Sequence, residues 1–158
     1  MGEQKSRNVF VSHHHKDEEG IKKMKALLKK RSFQIKNSSI DSTKPNQASN
    51  PEYIKRLLRL RIKWSGAMVV LIGKDTHTRS WVDWEIKKAF EKGKRIVGVF
   101  QDGAKEEDVP QNLEFYGDAL VGWHSEKIIG GIEGNHNDWC KPSGEKREPK
   151  WKTERVVC

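Results

Sequence analysis

Apolar residues fall along this chain in two patterns. Ala67–Ile72 (AMVVLI) and Arg95–Phe100 (RIVGVF) are short continuous runs rich in β-branched residues, the pattern of strands buried on both faces. Residues 8–12 (NVFVS) repeat it in brief, and residues 118–123 (DALVGW) close the series. Residues 32–36 (SFQIK) alternate apolar and polar, as a half-exposed edge strand does. Between these runs the spacing changes to three and four. Ile21, Met24, Leu27 and Leu28 predict a helix ending near Arg31. Ile54, Leu57, Leu58, Arg61 and Ile62 predict a second, with Asn50 as its cap, Pro51 in its first turn and Gly66 as its stop. Val82, Ile86, Ala89 and Phe90 predict a third, opened by Ser80 with Asp83 three residues on and stopped by Gly93. Pro110 forbids one continuous helix across residues 104–117, and Ser125 can open a short last helix carrying Ile128, Ile129 and Ile132.

Alternating strands and helices define a doubly wound α/β fold with about five parallel strands. The second strand is amphipathic while the first and third read as fully buried, which fits the flavodoxin-like order 2-1-3-4-5. In that order the winding reverses between strands 1 and 3, and ligands of open α/β sheets bind outside the carboxyl ends of the strands there. The domain is expected over residues 8–133, with a flexible polar stretch at 1–7 and a polar tail at 134–158. The turn-rich segment 37–50 is long for a connection, a mark of a functional or mobile loop.

Charge narrows the partners. Hydrophobic and charged residues each make up 34% of the chain, so the core must be small and the surface heavily solvated. The net charge of +9 admits nucleic acid or a phosphate-bearing small ligand, but the cations are spread over helix faces and the tail rather than gathered in one block, which argues against nucleic acid. No apolar run approaches the ~20 residues of a membrane helix, and the first residues hold no apolar signal core. Two cysteines, Cys140 and Cys158, supply neither a disulfide framework nor metal spacing. These features together indicate a cytoplasmic setting.

Two polar clusters converge on the switch point. One is the loop after strand 1, where Ser12 is followed by His13, His14 and His15. The other is Trp81 and Glu85, one turn apart on the third helix and therefore on one side of it, beside the core stripe. The bland reading is a half-buried indole and a solvated carboxylate; convergence on the crevice favours a functional pair. A receiver domain would need acidic residues ending strand 1 and an Asp ending strand 3, whereas here the strands end in Val11-Ser12-His13 and Ile72-Gly73-Lys74. The G-x-G-x-x-G of a dinucleotide-binding Rossmann site is missing. Three consecutive histidines cannot face one ion from a regular element, so no metal is expected.

The segment T-x-x-R-S-W-V-x-W-E at residues 76–85, followed by E-K-G-K-x-I-V-G-V-F at 91–100, resembles bacterial TIR-like domains of the kind that serve as the TIR component of Thoeris anti-phage systems. NVFVSHHHKD, VVLIG, V-P-x-N-L and A-L-V-G-W extend the resemblance over residues 8–133. It implies an enzyme that cleaves NAD at the nicotinamide–ribose bond and produces ADP-ribose, a cyclic isomer or a conjugate, with NAD as substrate and no further cofactor. It places the catalytic glutamate at Glu85 and the first-turn aromatic at Trp81. Phe10, Ser12, His13 and His14, at the end of strand 1 and in its loop, are then expected to line the nucleotide pocket, and Lys74 and Arg79 to suit the pyrophosphate. It further implies homo-oligomers through TIR–TIR contacts, a phage-derived activator, and an effector reached through the small-molecule product. A non-catalytic TIR assembly module is the alternative, and a nucleic-acid binder the third reading.

Overall fold

A computed structural model of the chain describes residues 5–13, 18–37, 51–74, 76 and 80–150. Five strands, β1 (Lys5–Ser12), β2 (Phe33–Asn37), β3 (Ala67–Ile72), β4 (Arg95–Phe100) and β5 (Ala119–Val121), form one parallel sheet in the order β2-β1-β3-β4-β5. Helices α1 (Glu18–Lys29), α2 (Pro51–Trp64), α3 (Ser80–Glu91) and α4 (Gln111–Tyr116) connect them, with a 3-10 turn at Glu106–Asp108 before α4, and α5 (Ser125–Glu133) follows β5. The flavodoxin-like order read from the sequence is therefore the observed one.

Alternation along the strands builds two cores. Val9 and Val11 of β1, with Val69 and Leu71 of β3, face α1 and α5 through Met24, Leu28, Ile128 and Ile132. Phe10 of β1, with Met68, Val70 and Ile72 of β3, faces α2 and α3 through Leu58, Ile62, Val82 and Ile86. Helix α3 presents Val82, Ile86 and Ala89 to the sheet and ends in a Schellman-type closure: Gly93 adopts φ +69°, and the Lys94 N–H donates to the Ala89 carbonyl at 2.9 Å. Asp83, expected to serve the start of α3, reaches across to α4, where its Oδ1 accepts the Asn112 N–H at 2.9 Å.

Helix α2 departs from the expected face. Leu58 and Ile62 are buried, but Arg61 points to solvent and Leu57 joins neither core cluster. At ~100° per residue, Leu57 and Arg61 lie about 100° round the helix from Leu58 and Ile62 respectively, too far to share their contact.

Part of the polar C-terminal segment is built into the domain. Asp138 and Cys140 exchange backbone hydrogen bonds with Leu120, so this stretch pairs in parallel with the outer edge of β5 and covers it. Beyond it, both carboxylate oxygens of Glu114 on α4 accept hydrogen bonds from Arg147 at 2.7 Å, with the two side chains only 3% and 7% exposed. The Arg147 guanidinium also lies over the Trp139 ring, 5.6 Å from its centroid. Residues 151–158 lie outside the described residues.

Candidate active site at the switch of the sheet

The sheet reverses its winding between β1 and β3, and the last residue of β1 there is Ser12, in register with Val70 of β3. Phe10 and Ser12 share the β1 face that looks toward α3, because side chains two apart along a strand point the same way. Phe10 is wholly buried among aliphatic side chains. It therefore forms the floor beneath Ser12 and offers a ligand no surface, contrary to its expected place in the pocket lining.

Above that floor the Ser12 hydroxyl donates a hydrogen bond of 2.7 Å to Oε1 of Glu85, joining residues 73 apart in sequence. Ser12 is 1% exposed and Glu85 9%. The carboxylate of α3 thus turns toward the end of β1, at the switch point. Glu85 is close enough to Val82 and Ile86 in sequence to share their side of α3, yet its carboxylate lies at the sheet's carboxyl end rather than over the aliphatic floor.

Burial governs its ionisation. Removal from water pushes the Glu85 carboxyl up from 4.5 to about 8, and the hydrogen bond from Ser12 pulls in the opposite direction without offsetting it. The dipole of α3 favours an anion near the start of the helix. That field fades beyond the first turn, whereas Glu85 is the sixth residue of α3, so desolvation prevails. In the free protein near neutral pH the carboxyl is mainly protonated.

The surroundings hold this pair in place. The β3–α3 connection begins with a reciprocal lock: Thr76 Oγ1 accepts the Gly73 N–H at 2.8 Å and the Thr76 N–H donates to the Gly73 carbonyl at 3.2 Å. Thr76 is completely buried. The spacing of three between Gly73 and Thr76, like that of a capping box, was the available signal for this lock. On the other side Asn37 Oδ1 accepts the Val11 N–H at 3.1 Å, fastening the end of β2 to the end of β1. Asn37 carried no distinguishing signal beyond its place at the start of a turn-rich segment.

The remaining expected contacts divide. Trp81, the second residue of α3, is 36% exposed, its ring edge-on to Trp84 at 5.7 Å and 76°. Lys74 is exposed in the turn after β3. His13 is half-buried and its Nδ1–H donates to the Val11 carbonyl at 3.0 Å. His14 and Arg79 lie outside the described residues, as do His15 and the loop 38–50. Among the described residues no three His, Cys, Asp or Glu side chains come together as a metal would require, and no helix is long and apolar enough to cross a membrane.

The site is thus a buried carboxyl at the switch point of a parallel 2-1-3-4-5 α/β sheet. The chain belongs to the family described as "Thoeris protein ThsB, TIR-like domain", which it matches over residues 10–106. It is similar to a Bacillus cereus (strain MSX-D12) protein named "Putative cyclic ADP-D-ribose synthase ThsB1", with 38% identity over 53 residues, 34% of this chain and 28% of that protein. The match thus spans under a third of the relative's length. Among solved structures, a conserved protein from Enterococcus faecalis V583 superposes with a TM-score of 0.53 at 13% identity, over 83% of this chain and 99% of that one, a likeness of fold alone. The TIR domains of the activated Roq1 resistosome match at a TM-score of 0.43 and 20% identity, covering 61% of this chain and 58% of theirs.

Proposed function

We propose that this chain cleaves NAD at the nicotinamide–ribose bond and converts the remainder into an ADP-ribose-derived messenger, cyclic or conjugated, in anti-phage defence. The observation that carries the reading is the buried Glu85 carboxyl held by Ser12 at the switch of the sheet. Family membership and the name of the Bacillus cereus relative support it.

The chemistry suits a lone buried carboxyl. The nicotinamide ring of NAD is a cation, and its arrival beside Glu85 favours the ionised form of a group that burial otherwise keeps protonated. Substrate binding therefore expels a proton and charges the carboxylate only when the ring is in place. The C1′–N bond then breaks with its electron pair passing to the ring nitrogen, so nicotinamide departs neutral and no general acid is needed. Positive charge moves onto C1′ and the ring oxygen of ribose, as in glycoside hydrolysis, and the Glu85 anion in a poorly solvated site stabilises it. Water adding at C1′ gives ADP-ribose and a proton; an adenine nitrogen or another nucleophile adding there gives a cyclic or conjugated product. Ser12 orients the carboxylate, Trp81 offers an aromatic face for the base or nicotinamide, and Lys74 offers charge to the pyrophosphate.

The reading includes homo-oligomers that complete the site, an activator of phage origin, and an effector reached through the product; it needs no cofactor other than the substrate. Mass spectrometry after incubating the purified chain with NAD, alone and with lysate of phage-infected cells, tests it. Nicotinamide appearing together with an ADP-ribose-derived product is expected. Quantitative recovery of NAD under both conditions would instead indicate a non-catalytic assembly module.

A further inference from the structure

Helix α2 is apolar on two sides. Leu58 and Ile62 enter the domain, while Tyr53, Leu60 and Trp64 stand 52%, 57% and 59% exposed, the three most exposed of the large hydrophobic side chains named among the described residues. With the partly exposed Leu57 they are spaced four, three and four residues apart. That places them within about 60° of arc along ~16 Å of helix. The spacing is the seam of a two-stranded coiled coil, in which the core positions of successive half-heptads line one edge.

The flanks of this seam carry one sign of charge. Arg56 and Lys63 border one side and Arg61 the other, all three exposed, and the helix holds five cations against a single carboxylate, Glu52. These border positions select partners in a coiled coil by charge. An antiparallel second copy of α2 would set cation against cation, which disfavours self-pairing. A helix lying in a lipid surface sinks ~5–10 Å with its polar face outward. Here the opposite face is already buried in the domain, so sinking the seam would drag Arg56, Arg61 and Lys63 toward the acyl region. A single helix with apolar residues in the seam and carboxylates along its borders meets neither objection.

We propose that the outward face of α2 is a docking site for an acidic amphipathic helix of another protein. Leu60 and Trp64 supply the apolar contact, and Arg56 and Lys63 pair with its border carboxylates. This surface stands apart from Glu85 and Ser12, so the proposal does not depend on NAD cleavage.

A labelled synthetic peptide of about three heptads, with Leu in the seam positions and Glu in the border positions, tests it by fluorescence polarisation against the full chain. The border glutamates keep the peptide from pairing with itself. Saturable binding is expected, weakened at least about tenfold by Leu60→Ser, in line with the loss of a large apolar contact. The double variant Arg56→Glu/Lys63→Glu is expected to release this peptide and to bind its counterpart with Lys at the border positions. Thermal melting confirms that the variants fold, as substitutions at these exposed positions permit. No binding of either peptide, or binding indifferent to these substitutions, overturns the proposal. It is equally overturned if the α2 substitutions instead abolish binding to phosphatidylglycerol-containing vesicles, or dissociate a dimer seen by sedimentation, with no affinity for the peptide.

Discussion

Replacing Glu85 by glutamine keeps the shape of the side chain and an oxygen to accept the Ser12 hydroxyl, but removes the ability to ionise. In the unfolded chain Glu85 loses its proton near 4.5; in the folded protein it keeps that proton until about 8. Between these values the folded state binds one more proton than the unfolded state. Folding stability from this group is thus fully present below 4.5 and is lost as pH rises, by about 1.4 kcal/mol per pH unit, levelling off above 8. Over the interval the loss reaches about 5 kcal/mol, or about 3 if water reaches the ionised carboxylate by local relaxation. Glu85→Gln escapes it. Urea denaturation followed by tryptophan fluorescence should give nearly equal stabilities for the two proteins at pH 4.5–5. By pH 8.5 the variant should be more stable by about 3–5 kcal/mol, a large share of the ~5–15 kcal/mol of a typical domain. Parallel stability profiles across this range would refute a carboxyl held protonated by burial.

The same ionisation should govern turnover: kcat/KM for NAD is expected to rise about tenfold per pH unit up to about 8 and then level off, and a flat or falling profile from pH 6 to 9 would exclude the anion as the working form. Ser12→Ala removes the hydrogen bond that favours the anion, so the rising limb should move to higher pH and kcat/KM at pH 7 should fall about five- to tenfold, with the plateau regained in alkali. Arg147→Met leaves the buried Glu114 carboxylate without its charged partner, retaining among the described residues only the neutral Lys150 backbone N–H at 3.0 Å, and should lower stability by about 3–5 kcal/mol in the same urea assay, whereas an unchanged midpoint would mean the Arg147–Glu114 pair does not stabilise the fold.

What the sequence disclosed, and what it did not, follows from the range of the forces involved. Ala67–Ile72 and Arg95–Phe100 are observed with the bounds read from the sequence, because continuous apolar runs flanked by Gly73, Lys94 and Gln101 leave little freedom of register. The start of β1 was missed: Lys5 to Arg7 are exposed and join the sheet only through backbone pairing with β2, which leaves no hydrophobic trace. The face of α2 was misread because Leu57 and Arg61 fit helical spacing while belonging to its outward side. The meeting of the first-strand loop with Glu85 was legible, since the strand order fixes which ends lie together. The protonation of Glu85 was not, because it depends on how deeply α3 packs against β1, and no local pattern encodes that depth. The Arg147–Glu114 pair was equally hidden, being a contact across 33 residues within a stretch whose composition is simply polar.

The measurement nearest the centre of this account is nicotinamide release from NAD by the wild-type chain and by Glu85→Gln, under conditions where the wild type turns over and with both proteins shown to be folded. The variant is expected to release nicotinamide at least about 100-fold more slowly, as loss of the charge opposing the oxocarbenium-like transition state requires. Turnover by folded Glu85→Gln at the wild-type rate would contradict it and move the chemistry away from the switch of the sheet.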